Sequence, residues 1–249
     1  MNISNNTIVI TGGGSGIGRE LGRRLQALDN TVIVTGRNVQ NLHETIAGLE
    51  NMYTYELDVS SQESINAFAK MVLEKHPKVN VLINNAGIMG FEDITKKRDL
   101  KHAEEVITTN LLGPIRLIDA FIDHLCKVGD AVVMNVSSGL AFVPLPVSPT
   151  YSASKAAIHS YTLSLRRQLE GKVEVIEIAP PAVRTELNPG QSANEDYMLL
   201  DEYADEVVSL MQQKPTPEEI LVERVKPLRY AERDGKFENI LSAMQASAD

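Results

Sequence analysis

Short β-branched runs alternate with longer amphipathic segments from the first residues to about Pro180, and this alternation leaves few folds open to the chain. The runs are Thr7–Thr11, Thr31–Thr35, Met52–Glu56, Val79–Ile83, Ala131–Val136 and Val173–Ile178. Several are apolar almost throughout, as strands covered by helices on both faces must be. The pattern predicts an α/β protein, a doubly wound parallel sheet of about seven strands with helices on both faces. The seventh strand is left open. Ile220-Leu221-Val222 reads as a strand, whereas Thr216-Pro217-Glu218-Glu219 just before it reads as a helix start. Ser60 followed by Glu63 has capping-box spacing and predicts a helix beginning there and running toward His76, which Pro77 closes. No repeat or linker divides the 249 residues, so a single domain over 1–249 is expected. After Pro180 the alternation weakens, and the Asn-, Pro- and Gly-rich stretch Asn188–Asn194 suggests a loop. A lid over about 186–215 and a C-terminal extension over about 216–249 are expected.

Charge and composition remove several classes of function. A formal net charge of -9 disfavours a nucleic-acid binder, which concentrates cations to displace counterions from phosphates. No apolar run approaches the ~18 residues of a membrane span, and Met1–Asn6 lacks the basic start of a secretory signal. A cytoplasmic protein without membrane insertion is the expectation. The single cysteine, Cys126, follows an apolar run and is expected to be a buried structural thiol. The five histidines show no metal-ligand spacing, so no metal is assigned.

Thr11-Gly12-Gly13-Gly14-Ser15-Gly16-Ile17-Gly18 comes directly after the first strand and leads into a helix carrying Leu21 and Leu25 on one face. A strand-to-helix turn without side chains lets backbone N–H groups and the positive helix end approach a pyrophosphate. The turn is not a nucleoside-triphosphate loop, because Gly18 is followed by Arg19-Glu20 rather than Lys and Ser or Thr. The dinucleotide fingerprint counted from Gly12 puts Ile17, not glycine, at its third position. A second signal lies at the end of the second strand. Gly36-Arg37-Asn38 carries no carboxylate for ribose hydroxyls, while Arg37 offers fixed donors to a 2′-phosphate. Tyr151-Ser152-Ala153-Ser154-Lys155 then sets a phenol and an ammonium one helical turn apart on the same face. A neighbouring cation stabilises the phenolate, so such a tyrosine is expected to have a lowered pKa and to exchange a proton with substrate. Upstream, Ser137-Ser138-Gly139 stands at the carboxyl edge of the fifth strand, where α/β sheets assemble ligands.

Taken together these residues resemble the short-chain dehydrogenase/reductase family, in its Thr-Gly-x-x-x-Gly-Ile-Gly and Tyr-x-x-x-Lys form, over roughly residues 7 to 185. The resemblance implies a Rossmann-like domain that moves a hydride between NADP(H), favoured over NAD(H), and a small carbonyl or alcohol substrate. It implies Ser138 as the residue bonding the substrate oxygen and Tyr151 as general acid/base. Lys155 would bind the nicotinamide ribose, and Asn110 would complete a proton relay through water. Cofactor contacts are implied for Gly12, Gly14, Ser15, Gly16, Ile17, Gly18, Arg37, Asp58, Val59, Asn85, Ala86, Gly87, Tyr151, Lys155, Pro180, Val183 and Thr185. A homodimer or homotetramer is implied through the helices holding Asn110 and Tyr151. The chain departs from the family pattern in three places. Pro181 replaces a glycine, Ser15 stands where many NADP-using relatives carry a basic residue, and no Gly-Gly follows the last strand. Two other readings compete: a non-catalytic redox sensor on the same fold, and a methyltransferase, which the missing acid after the second strand disfavours. Leu140–Val147 suggests an apolar wall beside Ser138.

Overall fold

The computed structural model describes residues 1–246. Its elements in chain order are β1 (Thr7–Thr11), α1 (Gly16–Gln26), β2 (Thr31–Gly36), α2 (Val39–Ile46), β3 (Met52–Glu56), α3 (Gln62–Lys75), β4 (Val79–Asn84), α4 (Lys101–Ile107), α5 (Gly113–Leu125) and β5 (Val132–Val136). They continue with α6 (Pro149–Gln168), β6 (Glu174–Ile178), α7 (Leu200–Met211), β7 (Glu219–Ile220), α8 (Lys226–Arg229) and α9 (Phe237–Ala246). Seven strands form one sheet in the order β3-β2-β1-β4-β5-β6-β7, every neighbouring pair parallel. This is the single doubly wound domain that the apolar runs imply.

The side-chain period of two explains why the strands read as continuous apolar runs. In β1, Ile8 and Ile10 enter one core with Leu21 and Leu25 of α1 and Tyr203 and Val207 of α7. Val9 enters the opposite core with Ile65 and Phe68 of α3 and Leu117 and Phe121 of α5. Both faces of β1 are therefore covered. Strand order reverses between β1 and β4, so the turns leaving their carboxyl ends flank a crevice that no crossover fills.

Three expectations change in detail. Of Ile220-Leu221-Val222 only Ile220 is strand, pairing with Ile178 in β6. The α3 helix starts one residue later than its capping-box spacing suggests. Ser61 is the N-cap, accepting from Ser64 N at 3.2 Å, because Ser60 is drawn into a turn by Asp58 Oδ1, which accepts from its N–H and hydroxyl at 2.9 and 2.7 Å. Cys126 is exposed rather than buried, since it lies just past the end of α5 on the side turned to water. Within residues 186–215, the second half is helix α7, seated against α1 by Arg24 bonds to Asp201 and Asp205 at 3.1 and 2.7 Å. Among the described residues no helix is long and apolar enough to cross a membrane.

Candidate active site

The two turns beside the crevice are tied by a side chain that motif reasoning passed over. Thr11 Oγ1 accepts from the backbone N–H groups of Asn85 and Ala86, each at 3.0 Å, and Asn85 Nδ2 donates back to the Thr11 carbonyl at 2.9 Å. The approach is close enough to exclude side chains. Gly12 has φ +67, and a Cβ there would stand 2.8 Å from Cα of Ala86. A Cβ on Gly18 would stand 2.4 Å from the Gly12 carbonyl oxygen. Gly18 thus packs the turn instead of facing the crevice. Ser15 is the extended residue before α1, and Gly14, Ser15, Gly16 and Ile17 line the cavity.

Asp58 and Arg37 meet at one end of that cavity. Burial pushes the Asp58 carboxyl up, but hydrogen bonds from the Ser60 hydroxyl and N–H, with the Arg37 charge, bring it below the ordinary value. Arg37 is exposed on the wall, and Val59 lies beside Asp58.

At the other end stand Ser138, Tyr151 and Lys155. Ser138 follows β5 in an extended conformation, its hydroxyl accepting from Leu140 N at 3.1 Å. Tyr151 and Lys155 lie on one face of α6, with the ammonium 5.5 Å from the phenol ring centroid. The expected lowering of the Tyr151 pKa is reversed in the structure. Burial pushes it up to about 12, against the pull of its hydrogen bond with Ser138. Lys155 is also affected, because burial brings its own pKa down to about 8 against the raising effect of Glu177. Its ammonium donates to the Val136 carbonyl at 2.8 Å.

Asn110 is 1% exposed and lies behind the wall, not on it. It sits in a π-helical turn, Thr108–Leu112, between α4 and α5. Its amide accepts from Ile88 N at 2.9 Å and donates to Ile88 O at 2.8 Å and Ser154 Oγ at 3.2 Å. The side chain thereby clamps the segment after β4 to α6, close to Gly87, whose added Cβ would lie 3.3 Å from Asn110 Oδ1.

The structure brings in residues that sequence reasoning did not select. Glu177, fully buried on β6, accepts from the Ser137 hydroxyl and lies 2.7 Å from His159 Nδ1. Glu177, His159 and Glu219 bring a nitrogen or oxygen each within 4.8 Å of one another, yet Glu219 is held by Arg229 through two bonds at 2.8 and 2.9 Å. Gln191 donates to the Val183 carbonyl at 2.9 Å and to Thr185 Oγ1 at 3.2 Å, closing the loop that follows Pro180. Met198 bridges to Val183 from the loop's far end. The resulting cavity measures about 1140 Å³ and is lined by every residue expected at the site except Gly18 and Asn110.

A model of the short chain dehydrogenase family matches residues 6–196. The chain belongs to that family. It is 40% identical over 237 residues, 94% of each chain, to the uncharacterized oxidoreductase DltE of Bacillus subtilis. It is 32% identical over 184 residues to sulfoacetaldehyde reductase 2 of Chromohalobacter salexigens, covering 72% of this chain and 73% of that protein. Among solved structures, an alcohol dehydrogenase of the archaeon Thermococcus sibiricus complexed with 5-hydroxy-NADP superposes with a TM-score of 0.76 at 27% identity, over 88% of this chain and 97% of that one. As a short-chain dehydrogenase the protein is an oxidoreductase.

Proposed function

We propose that this short-chain dehydrogenase transfers a hydride between NADP(H) and a carbonyl or alcohol, with Tyr151 exchanging the proton at the substrate oxygen. The observation that carries the reading is the placement of Ser138, Tyr151 and Lys155 on the wall of the same cavity as the glycine turn. A dinucleotide fits the residues present. Glycine at positions 12 and 18 lets the turn close against itself and against Asn85 and Ala86, where a Cβ would collide, and the turn opens onto the first turn of α1. Pro180, Val183 and Thr185 face the same space, as do Asn85, Ala86 and Gly87. A bound nicotinamide would supply the hydride chemistry, and the protein supplies position and electrostatics.

Each side chain then has a defined task. Ser138 and Tyr151 hold the substrate oxygen. A phenol pushed up to about 12 is protonated throughout the neutral range, so Tyr151 is poised as a proton donor in reduction. Lys155, anchored on Val136 with its ammonium 5.5 Å from the Tyr151 ring centroid, holds the cofactor ribose. Asn110 is a positioning residue that fixes the segment after β4. Arg37 supports NADP(H) over NAD(H), because its guanidinium borders the cavity where an acid would repel a 2′-phosphate. We also infer a homo-oligomer through the helices around α5 and α6, where Leu112 and Leu163 are exposed.

A panel of carbonyl compounds with NADPH oxidation as readout tests the reading. Tyr151→Phe is expected to lower kcat by about 100-fold or more, the usual worth of a positioned acid. Equal turnover by wild type and variant sinks the assignment of Tyr151.

A further inference from the structure

We propose that the substrate is an uncharged, largely apolar carbonyl compound, held against a wall made by the turn after Ser138 and by the C-terminal segment. This inference rests on the assignment of Ser138 and Tyr151 to the carbonyl oxygen. Leu140, within the short helical turn Gly139–Ala141 that follows Ser138, and Leu145 beyond it both line the cavity. The opposing hydrocarbon comes from far along the chain. Leu228 of α8 and Met244 of α9 also line it. The position of Leu228 is set by Gly139, where an added Cβ would stand 2.6 Å from Leu228 Cδ1 and 3.0 Å from Val225 Cγ2. Thus α8 is packed directly onto the residue after Ser138. Phe91 and Leu187 complete the wall, and they are 66% and 38% exposed. Large apolar side chains left to water inside a concave site gain by covering with another apolar group.

Charge narrows the ligand further. Among the described residues lining the cavity, the cations are Arg37 and Lys155. Arg37 stands at the far end beside Asp58, and Lys155 is bonded to Val136. The arginines close to this end are committed elsewhere. Arg98 pairs with Glu92 at 2.7 Å, Arg224 donates to the Asp196 carbonyl, and Arg229 grips Glu219. The nearby carboxylate, Glu186, accepts from the Ser192 hydroxyl and from Gly190 N at 2.9 Å. A carboxylate, sulfonate or phosphate on the substrate would lose its water against hydrocarbon and meet at this end no lining cation other than Lys155, which is bonded to Val136.

The test uses matched pairs differing by one charge. Turnover of 2-naphthaldehyde is compared with that of 6-carboxy-2-naphthaldehyde, and binding of 2-naphthamide with that of 6-carboxy-2-naphthamide, with and without NADPH. The neutral member is expected to win by about 100-fold in kcat/KM and in affinity. Leu187→Arg, a change at an exposed loop position, is expected to narrow both gaps by about tenfold. Parity, a preference for the carboxylate, or no saturable binding of 2-naphthamide overturns the proposal. If the amides discriminate as expected while no carbonyl oxidises NADPH, the hydride-transfer reading falls, and of the inference only the site's preference for uncharged, apolar ligands stands.

Discussion

Lys155 is expected to weaken the fold at neutral pH, and replacing it with methionine should make the protein more stable while abolishing turnover. The residue is 4% exposed, and its ammonium donates to a neutral carbonyl, Val136 O at 2.8 Å. Burial brings its pKa from 10.5 to about 8, with Glu177 raising it part of the way back. In the unfolded chain the ordinary value returns. Between these two values the unfolded state holds a proton that the folded state has released, so stability rises with pH through that window. Below it the whole penalty stands, about 3 kcal/mol for a depression of this size. Methionine keeps the apolar stem and removes the charge, but it forfeits a hydrogen bond worth about 1 kcal/mol. The net gain at pH 7 is about 2 kcal/mol, or about 4–8 °C in Tm for a chain of this length. Urea unfolding of wild type and Lys155→Met at pH 7 and pH 10.5 measures it. Titrations common to both proteins cancel in the difference, leaving the Lys155 contribution. The expected result is a methionine advantage at pH 7 that shrinks by about 3 kcal/mol and changes sign by pH 10.5. A difference that does not vary with pH, or one that grows as pH rises, refutes the reasoning.

Gly18→Ala should raise the KM for NADPH by about 10- to 100-fold, because its Cβ would meet the Gly12 carbonyl and Asn85 Nδ2 at 2.4 and 2.5 Å, neither of which is a free side-chain end. Gly129→Ala, with nothing within 4 Å, should leave steady-state kinetics unchanged, and equal KM values in the two variants would show that the turn tolerates a side chain. Arg37→Ala should weaken NADPH binding by about 10- to 100-fold and leave NADH binding nearly as it was; isothermal titration with both cofactors decides, and parallel losses would remove Arg37 from phosphate recognition. Tyr203→Phe should stabilise the protein by about 1–3 kcal/mol, since the Tyr203 hydroxyl is buried without a hydrogen-bond partner. A lower Tm for that variant would mean the hydroxyl is satisfied in solution.

The sheet was legible because each strand carries its own evidence. Apolar runs such as Ile8–Ile10 and Val81–Ile83 feed both cores, so no partner need be known to recognise them. The glycine turn was legible for a similar local reason, since strand, glycines and helix follow one another without a break. Capping-box spacing put the start of α3 at Ser60, one residue too early. Ser60 and Ser61 both suit a cap, and Asp58 decides between them by engaging Ser60. Contacts spanning long stretches of chain left no local trace. Nothing in Gly139 announces that Leu228 must rest on it, and nothing in Lys155 announces that its partner is a backbone carbonyl.

Glu177 is the instructive miss, because its signal was in plain view. A carboxylate at a buried position of a strand paired on both sides opposes both strand propensity and burial. Such a residue persists only if its partners offset the desolvation, and here Ser137 and His159 bond it while Lys155 lies within its electrostatic reach. Its position explains why it is tolerated next to the site. Lys155 loses hydration on the same wall, and an anion buried close by keeps the ammonium charged further up the pH scale than burial alone would allow. The two unfavourable burials are therefore coupled: each charge is cheaper in the presence of the other than by itself. Glu177→Gln removes the anion and keeps the shape, so it should move the pH limb governed by Lys155 downward, costing more activity at pH 8 than at pH 6.5. A uniform loss across pH would assign Glu177 to the scaffold of β5 and β6 alone.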